Sequence, residues 1–348
     1  MTEGRRVVVA ALAESPLEAI EKMTLDPQPE PAEIGPRDVV VAIESAQVGW
    51  VDLLMTAGQY QHQPKPPYTP GLEYAGTVAR VGTEVNAVKA GDRVLVDGFR
   101  AGPRSLGAYQ GWGGFASWAV VPEDAVIEIP GGLSFDQACN LLGNYETAVH
   151  CLITRGKLQA GETVLIHGAS GATGLAAVHV AKLVGATVIA TGRSKDKLAI
   201  VKAEGADHVI GTANLRDDVK AIAKDGVDVV YDGVGGDLSV QSMRCVKFGA
   251  RFLIVGWAST PFVGKTSPNQ LPTNLIMMKG LDVLGCPTVI STVMNPSIRK
   301  PRLDRVLEWV RAGKLKPHVS RTYPLDDFKT AMRAKGNGEI VGGVCLRP

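Results

Sequence analysis

The sequence predicts an α/β protein in which a parallel sheet, covered by helices on both faces, follows a β-rich region. Between residues 133 and 290, short apolar runs alternate with helical segments of roughly ten residues, as in βαβ units. Residues 1–132 instead contain short β-branched runs separated by glycine and proline. The chain has 348 residues, beyond the ~250–300 at which one hydrophobic core stops growing, so more than one domain is expected.

The β-rich region begins with an apolar run after Arg5 and Arg6, which we interpret as a first strand. The run is short, lacks a small-residue cleavage site and continues into Glu14, so it does not have the pattern of a signal peptide. Further runs that cluster or alternate β-branched residues are predicted as strands at 39–48, 74–82, 92–98 and 115–122.

The α/β region follows as alternating strands and helices, and the last region, 291–348, repeats the alternation. The predicted strands of the α/β region lie within 163–169, 186–192, 207–211, 227–233 and 251–256. Its predicted helices lie within 175–185, 194–205, 214–226 and 240–247, with Ser194 as an N-cap. The last region has predicted helices at 302–315 and 326–336 and predicted strands at 319–325 and 342–348.

Composition excludes several classes of function. A net charge of +2 is too small to indicate a nucleic-acid partner. The five cysteines are odd in number, widely spaced and without a C-x-x-C pair, which argues against a disulfide framework or a cysteine zinc cluster and favours the reducing cytoplasm. Two long uncharged stretches, 105–122 and 163–181, are interrupted by turn residues or by histidines and glycines, so no membrane span is predicted.

The strongest chemical motif runs from Gly168 to Gly174. It has the form A-x-G-x-x-G, it follows a predicted strand, and it opens a predicted helix, which is the context of a dinucleotide-binding turn. Gly171 would let the backbone approach a pyrophosphate, and Gly174 would let the helix pack closely on the strand. The helix N-terminus would offer N–H groups and a partial positive charge to the phosphates.

The end of the next strand predicts which dinucleotide binds. NAD-selective sites place an acid there to accept from the ribose 2′-hydroxyl, but this chain has Gly192 and Arg193, followed by Ser194 and Lys197. A 2′-phosphate would be repelled by an acid and paired by arginine and lysine. We therefore predict NADPH as the cofactor, with Asp196 facing solvent.

Taken together, these motifs make the chain resemble the zinc-free quinone oxidoreductase branch of the medium-chain dehydrogenase/reductase superfamily over nearly its full length. The strings that carry the resemblance include PYTPGLEYAGTVARVG, GETVLIHGASGATGLAAVHVAKLVGATVIAT, VDVVYDGVGG and LPTNLIMMKGLDVLG. The resemblance implies a GroES-like β-rich catalytic domain built from 1–132 and 291–348, and a Rossmann doubly wound parallel-sheet coenzyme domain at 133–290. It also implies an active site in the cleft and a homodimer that pairs through the Rossmann sheet.

The resemblance also predicts the absence of a catalytic zinc ion. The positions that hold the ligands in the zinc branch are Gly49, Leu72 and Gly143 here, and none of them offers a ligand atom. A site without a metal suits acceptors that take hydride readily, and the resemblance implies quinones and α,β-unsaturated carbonyls.

Site residues follow from the motifs and the resemblance together. The proton-donor candidate is Tyr60, eight residues after Asp52, with a packing role as the alternative. Asn144 and Thr147 resemble the segment beneath the nicotinamide, and Val255–Trp257 resemble the segment beside its ribose. The predicted cofactor-binding residues are Asn144, Thr147, Ser170, Gly171, Ala172, Thr173, Gly174, Gly192, Arg193, Ser194, Lys197, Val255, Gly256 and Trp257.

Three further expectations concern the β-rich region. Gly49 and Thr56 replace an asparagine and an arginine usual in the branch, which predicts a wider, less polar pocket that includes Trp50. Asp52 is expected to cap the helix that starts at Leu53. The insertion 99–114 is either a lid or substrate wall, or a solvated loop.

Two other functions remain open at this stage. One is an enoyl-thioester reductase that acts on CoA-type substrates. Arg100 and Arg104 could then bind the phosphates of the CoA. The other is a non-catalytic NADPH-binding protein with a structural or RNA-associated role.

Overall fold

Residues 4–259 and 269–348 are described by the structure, a computed structural model. In chain order the strands are β1 Gly4–Val8, β2 Thr24–Gln28, β3 Asp38–Gln47, β4 Tyr74–Val81, β5 Arg93–Val96, β6 Trp118–Pro122, β7 Val126–Glu128, β8 Thr163–Ile166, β9 Thr187–Thr191, β10 His208–Ile210, β11 Val227–Asp232, β12 Val246–Ile254, β13 Asp282–Gly285, β14 Val319–Pro324 and β15 Gly343–Arg347. The helices are α1 Pro16–Lys22, α2 Trp50–Thr56, α3 Phe135–Ala138, α4 Leu142–Val149, α5 Ala172–Val184, α6 Lys195–Ala203, α7 Leu215–Ile222, α8 Asp237–Ser242, α9 Thr273–Lys279, α10 Thr288–Met294, α11 Arg299–Arg311 and α12 Phe328–Gly336.

The chain divides into two compact units, Met1–Leu142 with Lys316–Pro348 and Gly143–Leu315. The first unit, called the β unit below, contains a sheet in the order β14-β15-β3-β4-β5-β7, with β6 paired to β3. Strand β15 joins this sheet antiparallel to β3, with Leu346 opposite Ala46, so the end of the chain lies in the β unit. The core beneath the sheet is formed by buried side chains such as Val41, Tyr74 and Phe115.

The second unit, called the α/β unit below, contains a parallel sheet in the order β10-β9-β8-β11-β12-β13. This is the doubly wound order of a Rossmann fold, which confirms the predicted fold class. Consecutive residues of β8, β9 and β11 are buried, as expected for strands covered on both faces.

The two junctions between the units fall at 142/143 and 315/316, rather than at 132/133 and 290/291 as the sequence suggested. Helix α3 packs on β3, where Ser45 Oγ donates a 2.7 Å hydrogen bond to Asp136 Oδ1. Helix α11 belongs to the α/β unit because the buried Glu146 of α4 accepts hydrogen bonds from Arg299 and Arg302. These distant pairings carry no local sequence pattern.

One predicted helix is wrong at its end. Helix α8 stops at Ser242, and Val246 already lies in β12, paired with Val227 of β11. The pairing of a buried valine with the parallel sheet overrides the local helical pattern of 240–247. Within the described residues, no helix has the length and apolarity needed to cross a bilayer.

Candidate functional site

The predicted cofactor residues of the α/β unit gather at one edge of its sheet. Strands β8, β9, β11 and β12 are parallel and adjacent in the order β9-β8-β11-β12. The turns that follow them therefore meet at the carboxyl edge, where ligands of open α/β sheets bind. Residues 168–174, 192–197, 233–236 and 255–257 form these four turns.

The glycine turn after β8 brings the start of α5 close to the end of the strand. Gly168 has φ +62°, and Gly171, the N-cap of α5, donates its N–H to the Gly168 carbonyl at 2.9 Å. A Cβ on Gly174 would lie 2.2 Å from the Gly168 oxygen, so only glycine permits this close approach of helix to strand. No side chain caps α5, so its N-terminal amides, beginning at Ala172, remain available to an anion.

Two segments predicted separately are joined here. Thr173 Oγ1, in the first turn of α5, donates a 3.2 Å hydrogen bond to Oδ1 of the buried Asn144 in α4. Thr147 lies half-buried one turn further along α4. The neighbouring Tyr145 instead shares a 2.8 Å hydrogen bond with His179, which gives both rings a structural role.

The turn after β9 presents basic groups and no carboxylate at the end of the strand. Strand β9 ends at Thr191, Gly192 follows, and the Arg193 side chain is exposed. Ser194 is the N-cap of α6, and its Oγ accepts from the Lys197 backbone N–H at 3.4 Å, which confirms the predicted cap. Asp196 is exposed, as expected from the sequence.

A buried histidine lies at the base of this edge. His167 Nδ1 accepts from Thr191 Oγ1 at 2.9 Å, and Nε2–H donates to Ser242 Oγ at 2.6 Å, because the Ser242 proton is already donated to the Leu238 carbonyl. Burial lowers the pKa of His167 to about 4, so the ring is neutral near pH 7. It is a buried core histidine with both ring nitrogens hydrogen-bonded.

Asp232 is the organising residue that sequence reasoning missed. At the end of β11, its Oδ1 accepts the N–H groups of Val234 and Gly235, each at 2.9 Å, and its Oδ2 accepts from Ser239. The string Asp-Gly-Val-Gly-Gly after a strand is a typical carboxylate-stabilised turn and could have predicted this role.

The turn after β12 is held against the Asp232 turn. The N–H groups of Val255 and Gly256 both donate to the Asp232 carbonyl, at 2.8 and 3.2 Å. Trp257 follows with its side chain 55% exposed, and its Cα would lie 3.2 Å from a Cβ on Gly235. A side chain at position 235 would therefore push the two turns apart.

In the β unit, Asp52 is bound differently from what we expected. Gly49, not Asp52, is the N-cap of α2, and Asp52 at the third helical position accepts from the Gly49 N–H at 2.8 Å. Its other oxygen accepts from the N–H groups of Gly71 and Leu72. Asp52 is not the cap because the helix starts at Trp50, three residues earlier than predicted. Burial raises the pKa of Asp52 to about 6 against the effect of these hydrogen bonds.

Tyr60, the predicted proton donor, is half-buried at the margin of the β-unit core. Its ring centroid lies 6.0 Å from that of His62. Burial raises the pKa of Tyr60 above its ordinary value, although the nearby charge of Arg104 opposes the shift, so the phenol is protonated at neutral pH.

The insertion 99–114 packs on the β unit instead of forming a free loop. Tyr109 donates to Asp38 Oδ1 at 2.5 Å, and Tyr74 donates to the Trp112 carbonyl at 3.0 Å. Arg100 pairs with Asp124, which uses one of the two arginines suggested for phosphate contacts. These contacts hold the insertion against the rest of the β unit.

Comparisons with known proteins agree with this architecture. The model of the alcohol dehydrogenase GroES-like domain matches residues 35–131, and that of the zinc-binding dehydrogenase matches residues 172–299. The quinone oxidoreductase-like protein 2 homolog of Nematostella vectensis is 34% identical over 317 residues, covering 88% of this chain and 82% of the relative.

Solved structures match over the whole length. A probable oxidoreductase from Mycobacterium abscessus has a TM-score of 0.82 and 28% identity, covering 99% of this chain and 100% of that one. The quinone oxidoreductase from Thermus thermophilus, also solved as its complex with NADPH, has a TM-score of 0.77 and 26% identity, with the same coverage.

The fold and the two matched domains define a medium-chain dehydrogenase/reductase, with a GroES-like β domain and a Rossmann-type domain. Within that superfamily of oxidoreductases, the chain belongs to the quinone oxidoreductase branch, as the resemblance indicated.

The name of one matched domain implies zinc, but the residues present do not fit a catalytic zinc ion. Gly49 and Gly143 have no side-chain donor, and Leu72 is a buried hydrocarbon. Across 4–259 and 269–348, no cluster of three or more His, Cys, Asp and Glu side chains is arranged to hold a metal. We therefore derive no step through a metal ion.

Proposed function

We propose that this protein is an NADPH-dependent reductase that transfers hydride to a quinone or an α,β-unsaturated carbonyl without a metal ion. The observation that carries the proposal is the carboxyl edge of the α/β unit. There, an uncapped helix N-terminus at Gly171 adjoins a strand that ends at Thr191 and is followed by Gly192 and Arg193, with no acid at its end. Relatives named as quinone oxidoreductases, one solved with NADPH, support the same assignment.

In this proposal the chain holds the cofactor with groups of the α/β unit. The amides of Ala172 and Thr173 bind the pyrophosphate, since the glycine turn offers no side chain in their way. Arg193 and Lys197 pair with the 2′-phosphate, which a carboxylate at that position would repel. Asn144 and Val255–Trp257 line the end of the site toward the nicotinamide.

When bound, the reduced nicotinamide supplies the hydride. The protein's part is to orient the acceptor, stabilise the developing oxyanion and deliver a proton. Tyr60 is our proton donor because its phenol is half-buried and protonated at neutral pH. Acceptors that already withdraw electrons, such as quinones and enones, need no Lewis acid.

We further propose that the protein forms a homodimer through the α/β unit and works in the cytoplasm. Strand β13 is the last strand of its sheet, and apolar side chains on nearby elements are exposed, including Phe248 at 82% and Met294 at 81%. An unpaired sheet edge and exposed apolar groups favour association. The cytoplasmic assignment depends on the cysteine pattern alone.

The test measures the rate at which the purified enzyme oxidises NADPH or NADH, each assayed separately. The acceptors are quinones, enones, nitroalkenes and enoyl-CoA thioesters. Faster oxidation of NADPH with quinones or enones is the expected result. A rate confined to enoyl-CoA, and lost when the CoA arm is shortened, would support the thioester reductase instead. NADPH binding without oxidation across the whole panel would support a non-catalytic protein.

A further inference from the structure

Arg104 is unusual among the arginines of this protein. Within residues 4–259 and 269–348, it is the half-buried arginine whose side chain makes neither a hydrogen bond nor an ion pair, and its Nε is buried without an acceptor. The other arginines of those segments that lack such partners are exposed. A buried N–H without an acceptor is unfavourable, so the Nε–H of Arg104 is suited to a partner that the described part of the chain does not provide.

The side chains around Arg104 do not neutralise it. Its guanidinium carbon lies 5.2 Å from the centroid of the Phe99 ring, which supports a cation without supplying charge. The charge of Arg104 opposes the rise that burial causes in the pKa of Asp52, but the two side chains form no ion pair. Both Asp52 oxygens already accept backbone N–H groups. Burial lowers the pKa of His62, and the positive charge of Arg104 lowers it further. The Nδ1 of His62 is also buried without a hydrogen-bond partner.

The backbone that carries Arg104 is firmly fixed. Arg104 lies in a single turn of 3₁₀ helix, Pro103–Ser105, between Gly102 at φ +73° and Leu106 at φ +53°. Left-handed backbone is costly for leucine and persists only where its surroundings impose it. Ser105 Oγ donates to the Gly102 carbonyl at 2.8 Å, which closes the turn. The turn therefore fixes the backbone from which the Arg104 side chain extends.

We propose that Arg104 binds a carboxylate of the acceptor, so that the enzyme prefers quinones or enones that carry an acid group over neutral ones. The inference rests on the proposed function for the identity of the acceptor. A guanidinium pairs with a carboxylate through two parallel N–H groups, one of which is the Nε–H that has no acceptor here. Arg104 and our proton donor Tyr60 belong to the same unit, and the charge of Arg104 acts on the Tyr60 phenol, so we place the acid group on the reacting molecule itself.

A carboxylate fits better than a phosphate. Arg104 is a single cation, and the titratable groups on which its charge acts include Asp52, Tyr60 and His62, none of which adds positive charge at neutral pH. The second arginine of the insertion, Arg100, is paired with Asp124 and exposed. One guanidinium matches the single charge of a carboxylate, whereas a phosphate carries about two charges.

The test compares a 4-oxo-2-enoic acid with its methyl ester, using the holoenzyme, Arg104→Met, Arg104→Lys and the control Arg100→Met from the same insertion. We expect the wild type to favour the acid in kcat/KM. Arg104→Met should lower kcat/KM for the acid at least tenfold through KM and leave the ester within about twofold, since only the acid loses a charged hydrogen bond. Arg104→Lys should retain part of the preference, and Arg100→Met should retain it fully.

Binding of the saturated oxo acid and its methyl ester, measured by calorimetry, separates this inference from the proposed function. Arg104-dependent binding of the saturated acid supports the inference even if no acceptor is reduced. Failure to reduce any acceptor would refute only the proposed function. Equal kcat/KM for acid and ester in the wild type, or equal losses for both in Arg104→Met, would overturn the inference while reduction itself persists. Inorganic phosphate that competes as strongly as the saturated acid would also overturn the assignment to a carboxylate.

Discussion

Thr173 and Asn144, 29 residues apart in sequence, are joined by a 3.2 Å hydrogen bond between Oγ1 and Oδ1. One residue lies in the first turn of α5, after the glycine motif, and the other is buried in α4. Separate arguments had linked each of them to the cofactor. The bond fixes the orientation of the Asn144 amide, since its oxygen accepts from the threonine and its nitrogen points the other way.

Replacing Arg193 with alanine should reduce the preference for NADPH. We expect KM for NADPH to rise roughly tenfold or more, with KM for NADH within about twofold, because only NADPH carries the 2′-phosphate that Arg193 would pair with. Steady-state kinetics with both cofactors measures the ratio. Arg216→Ala removes another exposed arginine of the same unit and serves as the control. An unchanged ratio in Arg193→Ala would refute the assignment of Arg193.

Alanine at Gly174 and at Gly171 should have different effects. At Gly174 the new Cβ would lie 2.2 Å from the Gly168 oxygen, so we expect a lower melting temperature together with lost NADPH binding. At Gly171 the nearest atom is 3.3 Å away, so we expect the fold to survive while NADPH binding weakens at least tenfold. Calorimetric melting and fluorescence titration of NADPH measure the two effects.

The control for both glycine variants is Gly211→Ala, since a Cβ there meets no atom within 4 Å. This variant should match the wild type in melting temperature and in NADPH affinity. A stable Gly174→Ala that binds NADPH normally would show that the close approach of α5 to β8 is not required.

Replacing Tyr60 with phenylalanine should slow the reduction of enones by at least tenfold, because the phenol supplies the proton in our proposal. The NADPH dissociation constant should stay unchanged, since our proposal gives Tyr60 a role in proton transfer and none in holding the cofactor. Tyr323→Phe, which removes another half-buried hydroxyl of the β unit, is the matched control. If turnover is the same in Tyr60→Phe as in the wild type, the tyrosine has only a packing role.

Mild acid should destabilise the α/β unit through His167. Its folded pKa of about 4 lies below the ~6.5 of an unfolded histidine, so the stabilisation is complete above pH 6.5 and is lost as the pH falls toward 4. The difference between the two pKa values corresponds to at most about 3 kcal/mol in the free energy of unfolding. Urea unfolding at several pH values should show a shallower acid loss in His167→Gln than in the wild type.

The matched control for this pH experiment is His208→Gln, which removes an exposed histidine of the same unit. We expect its pH profile to follow the wild type. Parallel profiles for His167→Gln and the wild type would mean that other groups cause the acid loss.

Replacing Met294 with aspartate should weaken the homodimer. The side chain is exposed on α10, directly after the edge strand β13, and a buried charge would oppose association there. Light scattering after size exclusion should give twice the chain mass for the wild type and a lower mass for the variant. Leu17→Asp changes an equally apolar exposed residue of the β unit and should leave the mass unchanged. A monomeric wild type would refute the proposed dimer.

The sequence by itself determined the features that depend on short stretches of chain. The strand–turn–helix around Gly168–Gly174, the cap at Ser194 and the alternation of strands and helices are fixed by local dihedral preferences and hydrophobic periodicity. These features were sufficient to predict the doubly wound sheet and the edge at which its ligand would bind.

Only the tertiary structure decided which distant residues meet. It brought Thr173 to Asn144 and Glu146 to α11, and it ended α8 at Ser242 because Val246 pairs with the sheet. Among the described residues, it also left the Arg104 Nε–H buried without a hydrogen-bond acceptor. The physical reason is that hydrogen bonds and burial between residues tens of positions apart depend on packing in three dimensions, which no local pattern of residues encodes.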